Sequence, residues 1–366
     1  MNNPFILADT RPYPETPVKN NLLLHASNLA HSTSAAQRKL SAESLQTEIR
    51  GMFQQNYYLG LSVAMSMVAD AESYKVLLDN LTTVLNAEKE EESQWFVMPL
   101  VLVAGCNQDQ TLPLNVPTAT LFAVLENHPH LRAFNQATWL PFLVPSTALS
   151  EINAGQWFEA KQNPEAAAQF AAQFRPSELQ IPRGQSVHVV FALGYGDKKL
   201  QDSLNQNLLK AGLPLMQVWQ EALAQPGLTL FVNPLSPDTP LSALTAGSHM
   251  RQRMAMDVFS TNAIRAIRMQ SPRVGVVVAA KAGGQIQFGF NATDSAFEIT
   301  PQVYTWTLSP TDNIAVIQQN FLDLMAECRV EHVYMLHDVV PENSELPTYA
   351  QALKSAGHNP FFAEQS

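Results

Sequence analysis

The chain has 366 residues, 46% of them hydrophobic and 15% charged, and 22 Lys and Arg against 32 Asp and Glu leave a formal net charge of −10. That length suits about two domains of roughly 100–200 residues each, and the low charged fraction excludes a disordered chain in favour of one with much buried surface. The acidic balance repels phosphate backbones and anionic headgroups, which argues against nucleic acid and membrane partners unless a local basic patch opposes it.

Cys106 and Cys328 are few and far apart, with neither metal-ligand spacing nor a disulfide framework, so a reducing, cytoplasmic setting is expected. No basic segment followed by an apolar one opens the sequence, and no run of about 18 apolar residues occurs, so neither export nor membrane spanning is expected.

Pro4, Pro12, Pro14 and Pro17 break regular structure and predict an extended arm over 1–18. A helical region over 19–92 follows. Ser41 reads as an N-cap for a helix carrying Leu45, Ile49, Met52, Phe53, Tyr57, Val63 and Met67, and a second helix carries Tyr74, Leu77, Leu81 and Leu85. The acidic run Glu88–Glu92 reads as a solvated helix end.

An α/β region is expected over 93–235. Trp95–Ala104 is a nearly continuous apolar run, read as a strand covered on both faces, with Pro99 placing it near an edge or at a bulge. A helix over Thr118–Asn127, a strand over Trp139–Val144 and a helix opened by Asn163-Pro164-Glu165 follow. The strand Val187–Leu193 turns at Gly194-Tyr195-Gly196-Asp197 into helices over Lys199–Lys210 and Leu215–Ala224, then a short strand over Leu228–Val232.

The last region, 236–366, is expected to be α/β with an antiparallel meander. Thr239-Pro240 starts a long helix to Met269 with a break near Ser260, and Val274–Ala280, Gln285–Phe290 and Phe297–Leu308 form the meander about a glycine turn. Ser309-Pro310 opens a helix leading to a strand over His332–Leu336, and a last helix runs from Tyr349. The fold class is thus α/β, or mixed α+β: a helical N-terminal portion, then a mixed sheet with crossover helices and a meander.

If these strands run parallel, the polar residues past their carboxyl ends share one rim, where open α/β sheets bind ligands. The candidates are Cys106, Asp197 and His337 for catalysis, and Tyr195, Lys198, Asn233 and Asp338 for ligand binding. Together they hold a nucleophile, a base and orienters, the ingredients of a hydrolase or transferase; that reading requires Cys106 within hydrogen-bond reach of His188 or His337. A third reading takes Arg251, Arg265 and Arg268 as a basic patch for phosphate or nucleic acid.

Polar residues are also expected wherever a strand leaves the core, and no catalytic signature occurs. Gly194-x-Gly196 lacks the third glycine of a dinucleotide loop because Lys199 stands there, so no cofactor is expected. The leading expectation is therefore a non-catalytic binding or interaction protein, with a homo-oligomer left open and its partner unidentified.

Overall fold

A computed structural model describes residues 17–55, 57–86, 93–118, 121–122, 129–152, 154–160, 164–293, 300–309, 311–336, 339–349 and 351–352. The fold is mixed α/β, with N-terminal helices followed by largely antiparallel sheets. The chain divides into two compact units with the boundary between Arg251 and Gln252.

The first unit opens with helices α1 (Pro17–His31), α2 (Ala35–Gln54), α3 (Tyr58–Ser66) and α4 (Ala71–Asn86). Leu22, Leu45, Ile49, Leu77 and Leu81 make their shared core. Pro17 belongs to α1 rather than to an arm, at the first helical position where its missing N–H costs nothing. The cap of α2 is Ser34, whose side chain accepts from Gln37 N; Ser41 is buried inside the helix. The remainder of the predicted arm and the acidic run after Ala87 lie outside the described residues.

The organising pair is β1 (Ser93–Cys106) against β6 (Gly184–Asp197), antiparallel over their full fourteen residues, from Ser93 opposite Asp197 to Cys106 opposite Gly184. On its other edge β1 pairs antiparallel with β7 (Leu228–Pro234). Short strands β3 (Thr138–Trp139) and β4 (Val144–Pro145) pair antiparallel with β6, where one strand was expected over Trp139–Val144. A separate two-stranded ladder joins β2 (Gln110–Pro113) to β5 (Glu178–Ile181).

Burial on both faces was legible in β1, but the parallel direction was not: every pairing in this sheet is antiparallel. Pro99 fits because alternate residues direct both backbone groups to the same edge. The carbonyls of Val97 and Pro99 accept from Asp238 N and Leu235 N, so the proline nitrogen faces the chain where β7 has ended and costs the β1–β6 ladder nothing.

Successive residues of β1 supply two cores. Phe96, Met98, Leu100 and Leu102 meet helix α8 (Lys198–Ala222) through Leu204, Leu208, Ala211, Leu215 and Trp219. These lie at helical spacing, so one continuous helix forms where two were expected. Pro214 sits inside it, and the unmatched carbonyl lies at exposed Lys210. The opposite face carries Trp95, whose ring lies 5.4 Å from Phe170 of α7 (Pro164–Ala171), with α5 (Ser146–Ser150) and α6 (Ala154–Ala160) completing the intervening chain. Asn163 and most of Thr118–Asn127 lie outside the described residues.

Helix α9 (Pro240–Arg268) begins where Thr239-Pro240 predicts, with Ala243 N donating to the Thr239 carbonyl, and runs unbroken past Ser260. The second unit holds the meander β8 (Val274–Lys281), β9 (Gln285–Ala292) and β10 (Gln302–Thr307), and β11 (His332–Met335) adds to β8 in parallel. The parallel step is made by α10 (Ile314–Glu327), as a crossover connection requires. Its cap is Asn313, accepting from Ala315 N and Val316 N, rather than Ser309; Asp312 instead holds the preceding turn by accepting from Ser309 N and Trp306 Nε1. Tyr349 starts the last described helical turn, and most of the helix expected after it lies outside the described residues.

Candidate functional site: a cleft at the edge of β6

Antiparallel pairing separates the residues that the parallel reading would have gathered. Cys106 and Asp197 lie at opposite ends of β6's partner register, about 40 Å apart at roughly 3.3 Å per residue. Cys106 and His188 are four register positions apart, about 13 Å by the same rise, outside hydrogen-bond reach. The Cys106 thiol is buried and donates to the Pro182 carbonyl at 3.2 Å. Asp197 is the N-cap of α8, its side chain accepting from Lys199 N at 2.8 Å. His337 and Asp338 lie outside the described residues.

Tyr195 sits at the Asp197 end of β6, its ring 5.3 Å from Trp95 and tilted at 53°, and Lys198 begins α8. Asn233 stands opposite Val101 in β7, six residues along β1 from the partner of Tyr195, so it belongs to another part of the sheet. Of the arginines, Arg265 and Arg268 occupy the last turn of α9, where cations suit the helix dipole, and Arg268 donates to the Arg329 carbonyl at 2.9 Å. Arg251 has a different setting.

That setting is produced by three local events. Pro145 ends β4 opposite Val190, so among the described pairings Gly184–Val189 of β6 bond to β1 on one side only. Gly247 lets α9 settle on the sheet: a Cβ there would stand 3.1 Å from Phe191, Pro99 and Val189. Leu244, Ser248 and Arg251 then follow at helical spacing along the edge so formed.

The result is a cleft of ≈ 340 Å³. Ser146, Thr147 and Ser150 of α5 line one wall, Ser248 and Arg251 of α9 another, and His188 with Val187 and Val189 the floor. Strand alternation puts His188 on the face opposite Val187 and Val189, so the cleft wraps around the strand edge. His188 Nε2 lies 2.8 Å from Ser186 Oγ. Burial first, and the Arg251 charge second, hold the imidazole below its ordinary value, which keeps it neutral near pH 7.

Arg251 enters no ion pair among the described residues. The cleft thus offers one cation, a neutral imidazole and several hydroxyls, all suited to accepting groups on a ligand. His188 was visible in sequence as the one ionisable residue in the run Val187–Leu193; the hydroxyls of α5 carried no such signal, since their role depends on β4 stopping at Pro145.

Among the described residues no group of three or more His, Cys, Asp or Glu is placed to hold a metal ion, and no helix is long and apolar enough to cross a membrane. Comparison with protein-family models, curated proteins and solved structures returns no match.

Proposed function

We propose that the chain is a non-catalytic binding protein whose β6-edge cleft receives a small anionic molecule, a carboxylate or a phosphate. The observation that carries this reading is Arg251, a cation without an ion pair among the described residues, standing in a hydroxyl-lined cleft of ≈ 340 Å³. That volume falls in the range of small-molecule sites, about 300–1,000 Å³. Guanidinium suits the partner because it presents a planar fork of donors to two oxygens at once.

Calorimetric titration of the full chain with citrate, succinate and inorganic phosphate tests the proposal. At least one anion is expected to bind, with about a tenfold or greater loss in Arg251→Gln, the order expected for a charged hydrogen-bonded contact. Binding that ignores this substitution, or no binding by any of the three, contradicts it. The nucleic-acid alternative loses support because Arg265 and Arg268 occupy a helix end, where cations suit the dipole, and Arg268 already donates to the Arg329 carbonyl.

A hydrolase or transferase reading now has a different basis from the Cys106 one. The 2.8 Å approach of His188 Nε2 to Ser186 Oγ is the arrangement of a base beside a hydroxyl nucleophile. No carboxylate contacts His188 among the described residues, so the orienting third group is missing from that arrangement. Turnover of an activated ester that disappears in Ser186→Ala would favour it over simple binding.

A further inference from the structure

The second unit contains a pocket of its own. The residues of β8 and β9 that face α10 include Val276, Val278, Ile286, Phe288 and Phe290, and they pack with Ile317, Phe321 and Met325. Toward the β8–β9 turn this core stops short of closing. A pocket of ≈ 140 Å³ opens there, floored by Val278, Ile286, Phe288, Ile317 and Met335.

Two features give the pocket a direction. Ala280 and Ile314 stand at its mouth and are exposed, Ile314 at 39%. Lys281 is also among the lining residues, and among the described residues it enters no ion pair. An apolar cavity of about 150 Å³ is large enough to hold a benzene ring. Burial of such a group is favourable in proportion to the apolar surface removed from water, while a carboxylate on its outer end would meet the lysine charge.

We infer that the second unit binds a small amphiphilic acid, with an aryl or short alkyl group among Val278, Phe288 and Ile317 and a carboxylate at Lys281. This site is separate from the β6-edge cleft and does not rest on the function proposed for it. The balance of forces is reversed, because apolar contact supplies most of the affinity and the Lys281 charge a smaller share. The hydroxyl-bearing walls of the β6-edge cleft have no counterpart on its floor.

The test uses the full chain and benzoate, followed by saturation-transfer NMR and by titration calorimetry. Benzoate is expected to bind in the millimolar range, to lose about tenfold or more in Ala280→Phe, whose ring fills the mouth, and to weaken severalfold in Lys281→Gln. Ala280 is exposed, so the filled variant is expected to keep the parent's circular dichroism and melting temperature; Ala280→Leu supplies a smaller filler if it does not. Benzoate binding that falls in Ala280→Phe and persists in Arg251→Gln belongs to this pocket, whereas binding lost in Arg251→Gln and kept in Ala280→Phe belongs to the β6-edge cleft and overturns the inference. A parent chain that ignores benzoate, a filled variant that binds as before, or a Lys281→Gln variant with undiminished affinity would each overturn the inference.

Discussion

The sheet around β1 and β6 and the sheet around β8 and β9 are both buried on both faces, yet they close differently. In the first, every neighbour runs antiparallel, and Phe96, Trp139 and Phe122 seal one core with rings 4.3–5.3 Å apart. The second combines an antiparallel meander with a parallel strand brought in by α10, and its core ends in an open pocket. The difference teaches that burial belongs to the residues of a strand, whereas direction belongs to the connection that delivers the next one. Among the described strands of the second sheet the parallel pair is β11 with β8, and the crossover that delivers β11 is α10.

Truncating a sealed aromatic in each core gives the largest expected effects. Phe96→Ala and Phe321→Ala both remove fully buried rings, and each is expected to cost about 3–5 kcal/mol in denaturant unfolding. The comparison would break if Phe96→Ala were mild, because a ring at 5.3 Å from Trp139 leaves no room for collapse in a closed core.

Glycine substitutions sharpen the contrast at lower cost. A Cβ on Gly194 would stand 2.5 Å from the Phe96 ring and 3.1 Å from Trp139, so Gly194→Ala is expected to cost about 1–3 kcal/mol. At Gly289 the nearest atom is the Leu346 methyl tip at 2.5 Å, which can swing away, and Gly289→Ala is expected to cost less than Gly194→Ala. Gly105, with neighbours no closer than 3.8 Å, should tolerate alanine within about ±0.5 kcal/mol. Equal costs at Gly194 and Gly105 in thermal or chemical unfolding would contradict the described β1–β6 packing.

Smaller still is the expected effect of the helix caps that follow each sheet's strands. Asp197→Ala and Asn313→Ala each remove a side chain that accepts backbone N–H groups, at a cost of about 1 kcal/mol. An Asp197→Ala variant that lost ligand binding without losing stability would point instead to a functional carboxylate at that position.

How much of this was legible before the structure follows from what each residue type can report. The apolar run Trp95–Ala104 announced two-sided burial, and the glycines after Ala282 announced the β8–β9 turn, because both signals are local. Strand direction was not legible, since the same run serves a parallel or an antiparallel neighbour, and with it went the rim of Cys106 and Asp197. Ser309-Pro310 read as the start of α10, but Asp312 accepts from Ser309 N and Trp306 Nε1 in a turn, and the helix begins after it with Asn313 as the cap. Of the β6-edge cleft, Arg251 and His188 could be singled out by type, but their meeting required Pro145 to end β4 and Gly247 to admit α9.

The imidazole of His188 also reports on pH. Its folded value is below the ordinary 6.5, so the unfolded chain binds this proton first; the associated stability is present above pH 6.5 and is lost as pH falls through the folded value. Replacing His188 by Gln is expected to flatten that part of the stability profile measured by denaturant titration.

The most direct test of the anion cleft is an NMR titration of the His188 ring against pH, with and without the best-binding anion and in Arg251→Gln. Occupation of the cleft brings negative charge beside the imidazole and offsets Arg251, so the account predicts that the His188 pKa rises with the anion and rises again, without it, in Arg251→Gln. A His188 pKa that stays fixed under both changes would contradict a charged ligand held between Arg251 and His188.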